Sequence, residues 1–138
     1  MIIQHLNWLA VAASALAYFM LGAAWFGPVF GKAWMKGHGI TPPTGEEKKK
    51  MNMGAILGMA FVKTAALVVL TAYIVMIINY RGDLVTALKI GAVLGGISCF
   101  PTGINYIFLK KPFYLWVLDG GYHACGVMIT CIIMSLWR

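Results

Sequence analysis

The stretch MGAILGMAFVKTAALVVLTAYIVMIIN, residues 53–79, decides the class of fold, and its one charged side chain is Lys63. A helix needs roughly 20 apolar residues to cross a ~30 Å hydrocarbon layer, and this run is long enough. Working outward, residues 3–26, 84–109 and 113–137 read the same way. Hydrophobic residues make up 61% of the chain and charged residues 11%, and the mean hydropathy is +0.81. A water-soluble domain of 138 residues has no interior large enough to hide so much apolar surface. The expectation is an all-α membrane protein, residues 1–138 forming one transmembrane domain of four helices.

The net charge of +7 invites a nucleic-acid reading. The basic residues are not pooled on one polar domain, however, and that argues for no nucleic-acid partner. Lys32, Lys36, Lys48, Lys49 and Lys50 lie between the first two spans, and Lys110 and Lys111 between the last two. The opposite side holds only Arg81 and Arg138, with Lys89 just inside the third span. Lysine and arginine concentrate on the cytoplasmic side of membrane proteins. Both basic loops, residues 27–50 included, are therefore expected in the cytoplasm, with both termini outside. The tight connections at 80–83 and 110–112 force antiparallel neighbours, so the bundle should run up-down-up-down.

Aromatic residues mark the same two levels. Trp8, Tyr80 and Trp137 fall at the expected outer ends, and Trp25, Trp34, Tyr106, Tyr114 and Trp116 at or near the inner ends. Trp and Tyr prefer the headgroup zone. From Trp8 to Trp25 is about 26 Å of helix, and from Trp116 to Trp137 about 32 Å. A secretory signal would need a basic leader and a short apolar core. The opening stretch has neither the charge nor the length for one, so it is expected to remain as a span.

The sizeable loop, residues 27–43, contains a turn-rich GHGI run and Pro42-Pro43. Thr44 and Glu47 have capping-box spacing, which predicts that the second helix starts there. Lys48, Lys49 and Lys50 then form a collar for anionic headgroups, with Lys110 and Lys111 as a second basic group at the same surface. Pro101 should kink the third span. Cys99, Cys125 and Cys131 form no CxxC pair, and His5, His38 and His123 are scattered, so neither a metal site nor a cofactor is expected.

Polar groups inside lipid are costly and should face partners or water. Asn7, Ser14, Tyr18 and Trp25 share one stripe of the first span, as do Ser98, Thr102 and Asn105 on the third, and Asp119, His123 and Thr130 on the fourth. Counted from the cytoplasmic ends, Asp119 lies about 9 Å deep, Lys63 about 13 Å and His123 about 15 Å. Lys63 and Asp119 are thus candidates for a buried ion pair, with Asn105 and His123 as neighbours. The competing reading lets Lys63 snorkel to the interface along its flexible stem. Gly54 and Gly58, and likewise Gly91 and Gly95, have the GxxxG spacing that lets helices approach closely, within the bundle or between molecules.

Several of these segments, NWLAV at 7–11, LGAAWFGP at 21–28 and FGKAW at 30–34, together with Gly121-Tyr122-His123, resemble the bacterial "domain of unknown function 1761" family. The likeness covers essentially the whole chain, and Phe26 stands where a Tyr is expected. It implies a small four-span protein of the bacterial inner membrane and supplies no catalytic or binding residues. No nucleophile–base set, phosphate loop or haem ligand pair is recognisable, so the chain is not expected to be an enzyme. Two classes remain. One is a helix-packing unit, self-associating or docked on a larger membrane complex. The other carries a small solute, ion or proton along a seam with Lys63, Asp119 and His123.

Overall fold

A computed structural model describes residues 6–79 and 81–137 of the chain. His5, Tyr80 and Arg138, invoked above, lie outside them. All regular elements among the described residues are helical. The first helix, α1 (Trp8–Ala24), runs into a π-helical turn at Trp25–Val29. Two short helices follow, α2 (Gly31–His38) and α3 (Gly45–Lys50), and then three long ones, α4 (Met53–Ile78), α5 (Leu84–Phe108) and α6 (Phe113–Leu136). Four segments are long and apolar enough to cross a membrane: Trp8–Val29, Met53–Ile78, Leu84–Phe108 and Phe113–Leu136.

Helix ends follow local chemistry. Asn7 caps α1, its side-chain oxygen accepting from the amides of Leu9 and Ala10 at 3.0 and 3.1 Å. Asp83 caps α5 by accepting from the Thr86 amide at 2.6 Å. Buried Asn79 closes the turn between α4 and α5. It donates to the Asp83 carbonyl at 2.7 Å and accepts from the Asp83 amide at 2.9 Å, while Gly82 supplies a φ of +74°. These bonds satisfy backbone groups that lipid could not.

Helix α6 is the hub. It packs along nearly all of α5 and also touches α1 and α4, whereas α4 barely meets α5. The core joins Ala10, Ala15 and Tyr18 of α1 to Val68 and Val75 of α4 and to Val127 and Cys131 of α6. Lipid tails are as apolar as these side chains, so their contact is favoured by close packing rather than by escape from water. Small residues make that packing close. A methyl group on Gly95 would meet the Ala124 Cα at 3.2 Å, and one on Gly91 would meet the Met128 Sδ at 2.6 Å. Gly126 lies directly under the Tyr18 ring.

Two expectations change. The segment expected as a loop from residue 27 is largely helical, because the helix kinks at Gly27 (φ −96°, ψ −105°), just before Pro28, and resumes as α2. The Thr44–Glu47 capping box forms, with the Thr44 amide and hydroxyl donating to Glu47 at 2.7 and 2.9 Å, but it starts α3 and not the second span. Met51 is extended (ψ 124°) and Asn52 caps α4 separately by accepting from the Ala55 amide at 3.1 Å. A second capping residue so soon after the lysines competes with helix continuation. The Lys48–Lys50 collar is therefore exposed on its own short helix. Helix α5 runs unbroken from Leu84 to Phe108 with Pro101 inside it, and non-helical backbone angles occur at Gly27 in the first span.

Candidate functional site

Asp119 is the single acidic residue within the four spans, since the chain's other carboxylates are Glu46, Glu47 and Asp83. It stands on the second turn of α6, half-buried, and two other helices, α2 and α5, converge on it. From α2, the Trp34 indole N–H donates to Asp119 Oδ1 at 3.0 Å. From α5, the Tyr106 hydroxyl donates to Asp119 Oδ2. His38, one turn after Trp34 on α2, places Nε2 3.9 Å from Oδ2 and 3.3 Å from the Tyr106 oxygen. The phenol has one proton and gives it to the carboxylate. The His38 Nε2–H must then donate to the phenolic oxygen, which fixes the tautomer.

Helix α2 is the lid of this cluster, and its seat has a local cause. The π turn at Trp25–Val29 kinks the chain, the Trp25 indole donates to the Leu118 carbonyl at 3.1 Å, and the Trp25 and Phe30 rings meet at a tilt with centroids 4.8 Å apart. Gly37 lets α2 lie on α6: a methyl group there would come within 2.7 Å of Leu115 Cδ2 and 2.6 Å of the Tyr114 hydroxyl oxygen. Tyr114 in turn donates to the Ala33 carbonyl at 3.3 Å, and Lys111 Nζ donates to the His38 carbonyl at 3.3 Å. Bonds from both α5 and α6 thus hold one short helix over one carboxylate. Desolvated charge-assisted bonds of this kind are worth roughly 1.5–3 kcal/mol each.

A second polar contact lies deeper. The Tyr18 hydroxyl of α1 sits 2.8 Å from His123 Nδ1 of α6, and the Tyr18 and Tyr122 rings meet edge to face at 5.3 Å. Four other hydroxyls along the expected seam turn back on their own helices. Ser14 donates to the Ala10 carbonyl at 2.8 Å, Thr71 to Leu67 at 2.9 Å, Ser98 to Leu94 at 2.9 Å and Thr130 to Gly126 at 3.0 Å. No buried side-chain polar atom among the described residues lacks a partner.

The residues singled out from the sequence separate into groups. Asp119 and His123 are both engaged, though with different partners, Trp34 and Tyr106 for the first and Tyr18 for the second. The expected ion pair between Lys63 and Asp119 is not formed: Lys63 is exposed on α4, and Asp119 is already occupied by donors from α2 and α5. Asn105 is exposed on α5 and joins neither polar contact. Gly91 and Gly95 seal α5 to α6, whereas Gly58 has nothing within 4 Å and Gly54 only Asn52 at 3.6 Å. Trp34, Tyr106 and His38 were missed as polar partners: the first two were read as part of a headgroup belt and His38 as one of the scattered histidines. Tyr18 was expected on the polar stripe of the first span, and the tertiary fold supplies its partner, His123. The signal that could have found two of them is the i, i+4 spacing of Trp34 and His38 beside the FGKAW segment.

That segment also carries the family relationship. A family model described as "Protein of unknown function (DUF1761)" matches residues 9–135. The chain belongs to that family. The match takes in every element from α1 to α6, the Asp119 cluster included. No curated protein and no solved structure matches the chain. Within this DUF1761 chain, no group of three or more His, Cys, Asp or Glu side chains is placed to hold a metal ion among the described residues. What the cluster can do is hold α2 down through a single carboxylate, by the Trp34 bond and the Tyr106–His38 contact.

Proposed function

We propose that this protein is a helix-packing unit of the bacterial inner membrane that self-associates or docks on a larger membrane complex. The observation that supports the reading is α4. Every residue from Met51 to Lys63 is exposed, on all sides of the helix, although neighbouring turns further along α4 bury Val68, Thr71 and Val75. Half of a membrane span thus has almost no partner in its own bundle, and Gly54 and Gly58 lie on that half in open space. Small residues on an open helix are the feature that lets a second helix approach closely. Native-size measurement in mild detergent tests this. Gly58→Leu should release a smaller, fully helical species; an assembly of unchanged size, with no larger complex copurified from native membranes, would overturn the proposal.

The same reading gives the bundle an up-down-up-down course with both termini outside, supported by the lysine asymmetry of the connections. A cysteine introduced at Lys49 should react with impermeant reagents only from the cytoplasmic side, and labelling in intact cells would reverse the orientation. Lys48–Lys50, Lys110 and Lys111 then meet anionic lipid headgroups. The reading involves no catalysis. Transport of a small solute, ion or proton along a seam with Lys63, Asp119 and His123 is the weaker alternative, because Ser14, Thr71, Ser98 and Thr130 of that seam are bonded to their own helices and Lys63 is exposed away from Asp119.

A further inference from the structure

A groove of about 330 Å³ opens on the outer side of the α5–α6 pair, away from the Asp119 cluster but sharing the Tyr106 ring as a wall. Phe100, Ile104 and Ile107 line it from α5, and Phe113 and Trp116 from α6. From Phe100 to Ile107 it runs about 10 Å along the span. Its walls are apolar, and the Trp116 indole N–H is turned away to the Cys99 carbonyl at 2.9 Å. At one end, in the turn between the helices, stands Lys111.

That end is electropositive for more than one reason. Lys111 makes one bond, to the His38 carbonyl, and its ammonium has three donors. Helix α6 starts at the same place with Pro112 before it, and no side chain caps its first amides. Those amides carry the positive end of the dipole of a long helix. Three of the carbonyls that end α5 accept from the turn itself: the Leu109, Lys110 and Lys111 amides bond to Asn105, Ile107 and Tyr106 at 3.0, 3.2 and 3.0 Å. An apolar slot that runs into the span from a cationic end matches an amphiphile with one anionic head.

We propose that this groove binds an anionic phospholipid, its acyl chain along Phe100, Ile104 and Ile107 and its phosphate on Lys111 and the free amides of α6. Phosphate and chain are needed together, which distinguishes the site from the general attraction of a lysine collar for a charged membrane surface. The aromatic pair Phe113 and Trp116, 5.1 Å apart and edge to face, closes the slot on the α6 side.

Native mass spectrometry of the full chain released from mild detergent, with phosphatidylglycerol or phosphatidylcholine of identical chains added, tests the site. Phosphatidylglycerol adducts should be retained preferentially. Lys111→Gln should lower that retention about fivefold, the effect of one surface lysine, while Lys111→Arg retains it. Ile104→Trp, which fills the slot from an exposed position, should lower retention of both lipids. A circular dichroism spectrum unchanged from the parent keeps each variant interpretable, and Lys111→Arg decides the matter if Lys111→Gln does not fold. Equal retention of the two lipids would overturn the proposal, as would indifference to Ile104→Trp. Displacement of the lipid by inorganic phosphate alone would overturn it too, because the chain would then contribute nothing.

Discussion

At the scale of single residues, Asp119 shows how a carboxylate is kept in a membrane span. A lone ionised group there is expensive, and two donors, Trp34 from α2 and Tyr106 from α5, share the load. Tyr106→Phe removes one charge-assisted donor while keeping the ring. It should lower stability in detergent by about 1.5–3 kcal/mol, measured by thermal or denaturant unfolding; no loss would mean that the Tyr106–Asp119 bond is not formed in solution. Lys63 makes a contrasting case. Its exposure on α4 predicts that Lys63→Gln and Asp119→Asn act independently, their effects adding to within about 0.5 kcal/mol in a double-mutant cycle. A larger coupling would bring back the direct ion pair. Trp34→Phe combined with Asp119→Asn should instead show clear non-additivity, since the two side chains share a hydrogen bond.

At the scale of elements, the glycines divide by what faces them. Gly95→Leu and Gly126→Leu drive a side chain into the Ala124 backbone and the Tyr18 ring, so both should cost at least the 1–3 kcal/mol typical of overpacking and broaden the folded state. Gly58→Leu should leave the fold of the single chain intact, because nothing lies within 4 Å of that position. Helical content and unfolding midpoint of the three variants separate the cases. The capping box of α3 adds a pH dependence. The Thr44 amide and then its hydroxyl hold the Glu47 carboxyl below the usual carboxylate range. A carboxyl lowered in the folded state stabilises above its unfolded value and loses that contribution as pH falls through the folded one. Hydrogen-exchange protection in the first turn of α3 should therefore fade on acidification below the carboxylate range, while Glu47→Gln removes that dependence. The Asp83 carboxyl, lowered by its bonds to Thr86, should behave likewise at the start of α5.

At the scale of the whole molecule, α6 carries the most buried positions and α4 leaves its first half uncovered. Local opening follows the density of packing. Hydrogen exchange in detergent should be slowest in α6 and in the part of α1 around Ser14 and Tyr18. It should be fastest in α3 and in α4 before Lys63, with α4 becoming protected on assembly. Uniform protection along α4 in a monomer would contradict the open face.

The four spans, the family and the capping box at Thr44 and Glu47 were legible in the sequence, because each depends on local runs: hydrophobic length, motif order and a three-residue spacing. The inward stripe of Asn7, Ser14, Tyr18 and Trp25 was legible for the same reason, since helical period alone puts these residues on one face. What faces them was decided only by the tertiary structure. Nothing local says that the helix kinks at Gly27 and resumes as α2 against α6, and so nothing local says that Trp34 reaches a carboxylate 85 positions later in the chain. Depth counting put Lys63 and Asp119 at similar levels, but level is one coordinate of three, and the first half of α4, Lys63 included, is exposed all round. The two GxxxG pairs are identical as patterns. One is buried against α6 and the other open because helix contact depends on which neighbours a span has, and spacing along a single helix carries no information about neighbours.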